Sequence, residues 1–127
     1  MAYAASTTSE LKMTAAEAEE LEDWGPLEPP LGEPLGDPMP TRGVETWTSP
    51  DGAVSTGIWE CEPGPSRWHF SENGEFIHVI RGRMICTDEH GDAVTLGPGD
   101  SMTFPPGWRG EWQIDETLRK VYTVFPA

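Results

Sequence analysis

From Val44 to Phe125 the chain runs in short stretches where apolar and polar residues alternate, broken by turn residues at short intervals. This is the texture of an all-β sandwich or barrel. The alternation predicts strands at Val44–Thr48, Ala53–Glu60, Arg67–Phe70, Phe76–Arg81, Arg83–Thr87, Ala93–Leu96, Ser101–Phe104, Arg109–Ile114 and Leu118–Phe125. Turns fall at Ser49-Pro50-Asp51-Gly52, Glu62-Pro63-Gly64-Pro65, Arg81-Gly82, Asp88-Glu89-His90-Gly91, Gly97-Pro98-Gly99-Asp100 and Pro105-Pro106-Gly107, clusters whose residues favour tight reversals. The preceding segment has a different period. Thr14 with Glu17 forms a capping box and Gly25-Pro26 a stop, so Thr14 to Trp24 is predicted to be an acidic helix. Leu11, Ala15, Ala18 and Leu21 give that helix one apolar stripe, to lie on the barrel's outer face or on a partner subunit, or to form a lid over the barrel mouth. Residues 26–40 repeat Pro-Leu-Gly-acid and hold six prolines, which predicts an extended polyproline-like connector unable to pair in a sheet, its leucines and Met39 docking on a surface. The expected division is an arm over 1–42 and a single barrel over 43–127.

Length and charge narrow the partners. With 127 residues there is material for one core. The net charge of −14 excludes nucleic acid and anionic membrane surfaces, which need clustered Lys and Arg. No apolar run is long enough to span a bilayer and the N-terminus lacks the pattern of a signal peptide, so a cytoplasmic protein is expected. Cys61 and Cys86 are expected to be reduced, buried thiols, with a redox pair as the alternative. Exposed strand edges and a load of six tryptophans predict a homodimer.

Two blocks in the second half are spaced like a known signature. The first reads His69-Phe70-Ser71 … Glu75 … Gly82. The second reads Gly97-Pro98-Gly99-Asp100 … Phe104-Pro105-Pro106-Gly107-Trp108-Arg109-Gly110, and Arg119-Lys120-Val121-Tyr122 closes the pattern. Together they resemble the cupins, whose full signature, Gly-x5-His-x-His-x3-4-Glu-x6-Gly followed by Gly-x5-Pro-x-Gly-x2-His-x3-Asn, holds a divalent metal on three histidines and a glutamate. The resemblance runs from Trp59 to Phe125 and is nearest to small single-domain cupins related to ureidoglycine aminohydrolase and the ethanolamine-utilisation cupins. It implies a double-stranded β-helix, a jelly-roll-like barrel, here carrying the N-terminal helix and proline-rich arm.

The same resemblance places Ser71 where a second histidine belongs and Gly110 where a third belongs. His69 and Glu75 are left as the implied metal anchors, two groups where a transition ion usually needs three. No cofactor is therefore expected. The alternative is a divalent metal on His69 and Glu75, with His78, Tyr122 or Cys86 as a substitute ligand. Strand alternation turns Glu75, Ile77 and Val79 inward, with Gly110, Trp112 and Ile114 facing them. A carboxyl inside an apolar barrel loses hydration and suits a general acid or base, so Glu75 and His69 are the candidate catalytic residues; a structural tie to Arg or Tyr is the plainer reading of Glu75. Trp112, Ser71, Tyr122 and Arg109 are the expected ligand contacts, Trp112 as an aromatic floor and Arg109 as an anchor for an acidic group. The function expected is binding of a small, possibly acidic, organic molecule, with metal-independent isomerase or lyase chemistry on Glu75. The alternatives are an aminohydrolase-like metal enzyme acting on C–N bonds and a non-enzymatic scaffold or regulatory subunit.

Overall fold

The computed structural model describes residues 7–17 and 20–127. Among them nine strands follow one another: β1 Glu22–Pro26, β2 Glu33–Pro34, β3 Pro40–Thr48, β4 Ser55–Cys61, β5 Gly64–His69, β6 Asn73–Asp88, β7 Ala93–Leu96, β8 Ser101–Phe104 and β9 Arg109–Pro126. All pairings are antiparallel. β9 is the hub, joined to β4, β5 and β6, while β6 also pairs with β7 and β8. The sheet curls into the cupin barrel that the alternation and the signature predict.

Two expected breaks are instead continuous strand. β6 passes straight through Arg81-Gly82, and β9 passes through residues 115–117, because each holds its register with the other on both sides of the irregularity. Gly82 sits at φ +90°, with the carbonyls of Thr117 and Glu116 where a β-carbon would stand, so the expected turn is a bulge. The extra residue shifts the inward parity of β6: Glu75, Ile77 and Val79 are buried before it, Met84 and Cys86 after it.

The arm differs more. No helix spans Thr14 to Trp24; Ala15–Glu17 is a single 3-10 turn, Glu22–Pro26 is strand β1, and residues 18–19 lie outside the described residues. Sheet pairing wins here because β3 offers an open edge of backbone donors and acceptors, whereas the helix offered only a narrow stripe. The proline connector also enters the sheet, since Glu33 and Pro34 pair with Arg67 and Ser66 of β5, an edge position where a missing N–H is tolerated. Leu27 and Met39 are buried in the core as docking residues, but Leu31 and Leu35 stay exposed.

Candidate functional site

β6 turns Glu75 inward and β9 turns Lys120 inward, and the two meet. Lys120 Nζ donates to Glu75 Oε2 at 2.6 Å, with the side chains 2% and 6% exposed. Three indoles surround the ammonium: the rings of Trp59, Trp112 and Trp68 are centred 4.4, 4.7 and 5.7 Å from Nζ. Removing each ion from water costs several kcal/mol. The short charge-assisted bond offsets part of this, and cation–π attraction of about 2 kcal/mol at a desolvated site offsets more.

The cage is assembled from separate strands. β4 sets Trp59 opposite Lys120 in register. β5 supplies Trp68, and β9 supplies Trp112, which stacks on Trp68 at 3.8 Å between centroids and 19°. Trp59 meets both edge-on. Trp68 Nε1 donates to the buried Ser66 Oγ at 2.9 Å. The indole N–H groups of Trp59 and Trp112 are buried and have no hydrogen-bond partner among the described residues. Each such donor costs about 1–3 kcal/mol, so this centre is not arranged for stability alone.

Beside the pair lies a cavity of about 200 Å³. Its inner wall is Trp59, Trp68, Glu75, Lys120 and Tyr122, and the arm contributes Trp24 and Leu31. Burial first, then the charges of Glu45 and Glu75, pushes the Tyr122 hydroxyl up to about 12, so it remains a proton donor at neutral pH. An acid and a base in hydrogen-bond contact, on the wall of a mostly apolar space with room for a guest, can move a proton on that guest. A larger hollow of about 450 Å³ opens on the rim between Arg67, His69, Glu89, Arg109 and Glu111. We place the site in the smaller one, because the rim groups face solvent whereas the ion pair is shielded from it.

Only some of the residues singled out in the sequence line one or other of these two places. Glu75 and Tyr122 line the inner cavity. Trp112 is fully buried behind it, stacked on Trp68, and forms no floor. His69 is exposed on the outer face of β5, its Nε2 3.2 Å from the Arg109 guanidinium, and Ser71 is exposed in the bend that follows. Arg109 also faces Glu89 at 3.7 Å and does not reach the inner cavity. His69, Ser71, Glu75 and Gly110 therefore do not converge. The inward positions of β5 are Ser66 and Trp68, and Phe70 just beyond its end is buried on the same side, so the two histidine positions that face inward are filled by Trp68 and Phe70. A side chain at Gly110 would collide with the Thr87 carbonyl and the Trp108 ring.

The metal implied by the signature does not fit. Around Glu75 stand an ammonium, indole rings and the Tyr122 hydroxyl, which burial keeps protonated, so none offers the deprotonated ligand a divalent ion needs, and no group of three or more His, Cys, Asp or Glu suited to an ion occurs among the described residues. His78 bonds Ser101 on the outer surface at 2.8 Å. Burial pushes the Cys86 thiol up to about 12, far from the thiolate that a metal requires.

Lys120, part of the closing Arg119-Lys120-Val121-Tyr122 block, was not among the candidate site residues, and the structure buries it against Glu75. Its neighbour Arg119 faces the other way, beneath the arm, donating to Glu60 at 2.9 Å and to the Ala15 carbonyl at 3.2 Å. Burial pushes the Glu60 carboxyl upward, but hydrogen bonds from Arg42 and Arg119 outweigh it and hold the group below its ordinary value. This outer network ties the arm down.

Residues 48–122 match the family model described as the EutQ-like cupin domain. Among solved structures the chain is similar to a DUF861-family protein of unknown function from Pseudomonas syringae pv. tomato, at 20% identity over 84% of this chain and 45% of that one, with a TM-score of 0.70. It is similar to the EutQ protein of Clostridium difficile at 19% identity over 70% of this chain and 64% of that one, TM-score 0.59. A DUF861-family protein from Thermotoga maritima is 35% identical over 54% of this chain and 76% of that one, TM-score 0.51. The chain thus spans 45% and 64% of the length of the first two. No curated protein matches it by sequence. No helix among the described residues is long and apolar enough to cross a membrane.

Proposed function

Because the chain belongs to the EutQ-like cupin domain family, we propose that it takes up a small organic molecule in the cavity beside Glu75 and Lys120 and moves a proton on it, as an isomerase or lyase without a metal would. The observation that carries this reading is the ion pair itself, hydrogen-bonded at 2.6 Å on the wall of an otherwise apolar cavity. Glu75 would accept a proton from an activated C–H or O–H. Lys120 would face the negative charge that develops, or give its own proton to a second atom and regain one from Glu75 across their hydrogen bond. The cavity walls are mostly apolar and Tyr122 adds a neutral O–H donor.

The test has two steps. A panel of small carbonyl compounds and alcohols is screened by thermal shift on the full chain; those that raise Tm are then incubated in D2O and followed by NMR for deuterium uptake. The wild type should exchange an acidic C–H at least about a hundredfold faster than Glu75→Gln, the ordinary weight of a general base. Equal exchange by the two proteins would refute a proton-transfer role, and a panel with no binder would refute the cavity as a ligand site.

A further inference from the structure

The cavity beside the ion pair is made only partly by the barrel. Trp24 of β1 and Leu31 of the segment between β1 and β2 belong to the arm, yet both line it. They are the kind of residue a fold usually hides, and here they stay 39% and 50% exposed. Their seating is specific. The Trp24 ring lies so close to Gly43 that a methyl group there would meet its Cη2 at 2.6 Å, and a methyl group at Gly32 would meet the Trp68 ring at 2.8 Å. Two glycines thus let the arm lie flat against the barrel where the cavity opens.

The cavity also restricts what can enter. At about 200 Å³ it is smaller than the roughly 300–1,000 Å³ of drug-sized sites and close to the roughly 150 Å³ of an apolar cavity that accepts benzene. Four aromatic side chains line it, those of Trp24, Trp59, Trp68 and Tyr122, surfaces that favour stacked or edge-on rings. Its two charges cancel through the bond between Lys120 and Glu75, so a charged guest would bring a third charge against a mostly apolar lining with no counter-ion.

Resting on the site assigned above, we propose that the arm completes the cavity, with Trp24 and Leu31 closing over a neutral molecule of single-ring size. The guest carries one hydroxyl or carbonyl group, which faces the ion pair. The two arm residues are then the determinants of specificity, while the pair beneath them carries the chemistry.

Calorimetric titration of the full chain with benzyl alcohol, benzoate and benzylammonium tests this. Benzyl alcohol should bind at least about tenfold more tightly than either ion, a difference of about 1.4 kcal/mol. Trp24→Ala and Leu31→Ala should each weaken it by about five- to thirtyfold, and Trp24→Phe should retain most of the affinity. Thermal melts of the same variants should stay within a few degrees of the wild type, since neither side chain belongs to the buried core. Unchanged affinity in Trp24→Ala and Leu31→Ala, with a loss in Glu75→Gln, would overturn the role of the arm and leave the site standing. Equal affinity for benzoate would overturn the neutral guest. No binding of any of the three would overturn this inference, while the wider panel described above would still decide the site.

Discussion

Replacing Lys120 by methionine keeps the length of the side chain and removes its charge, which leaves Glu75 as a carboxylate buried among indoles. Breaking a buried pair from one side costs about 3–5 kcal/mol, and loss of the ammonium from over Trp59 and Trp112 puts this case toward the upper end. Against a domain stability of about 5–15 kcal/mol, such a loss should lower Tm by about 10–20 °C. The double variant Glu75→Leu with Lys120→Met removes both charges and fills the space with apolar atoms, so it should return to wild-type stability or exceed it by about 1–4 kcal/mol. Urea unfolding followed by tryptophan fluorescence reads all four corners of the cycle, and with each single loss at about 3–5 kcal/mol the coupling between the two sites should be at least about 6 kcal/mol. A loss below about 1 kcal/mol in Lys120→Met, or a coupling that small, would mean that the ammonium does not sit on Glu75 inside the cage.

The bulge gives a second prediction. A methyl group at Gly82 would collide with the Thr117 carbonyl and force a residue with a side chain into φ +90°, so Gly82→Ala should lose at least about 2 kcal/mol by urea titration, and a loss under about 0.5 kcal/mol would refute the bulge. A third concerns alkaline pH. Burial pushes Cys61, Cys86 and Tyr122 up to about 12, so in the folded state they hold protons that the unfolded chain releases from about pH 8.5 for thiols and about 10 for tyrosine. Stability from these groups is complete below that range and is lost as the pH rises toward 12, so the urea midpoint should fall steadily above about pH 9. A midpoint constant from pH 8 to 11 would contradict this, as would alkylation of either thiol in the native protein at pH 8.

Alternation predicted Ala93–Leu96 and Ser101–Phe104 to the residue and turned Glu75, Ile77 and Val79 inward correctly, because period-two patterning is what a half-buried strand requires. It failed in β5 for an identifiable reason. The signature allows three or four residues between its second histidine and its glutamate, so counting back from Glu75 fits both His69 with Ser71 and Trp68 with Phe70. A one-residue slip exchanges the two faces of a strand. The apolar residues should have decided, since Trp68 and Phe70 are far costlier to leave in water than His69 and Ser71. Lys120 was legible in the same way: Leu118, Lys120 and Tyr122 share a face, and two of the three are apolar. The arm was not legible, since its pairing with β3 depends on an open edge that exists only once the barrel has formed.

The signature carries two kinds of information, and in this chain they come apart. Its glycines at 82, 99 and 107 take positive φ values of 90°, 92° and 97°, so they report backbone that the barrel needs whatever it contains. Its histidine positions report a metal, and here they hold indole, phenyl and a bare α-carbon. Glu75 remains, and a buried carboxylate still needs a positive partner. Lys120 meets that need at 2.6 Å. The substitution is not chemically neutral. A metal ion supplies charge together with open coordination positions, whereas an ammonium supplies charge together with a proton and no position to coordinate. A barrel centred on Lys120 and Glu75 is therefore suited to proton movement on a guest held by its walls.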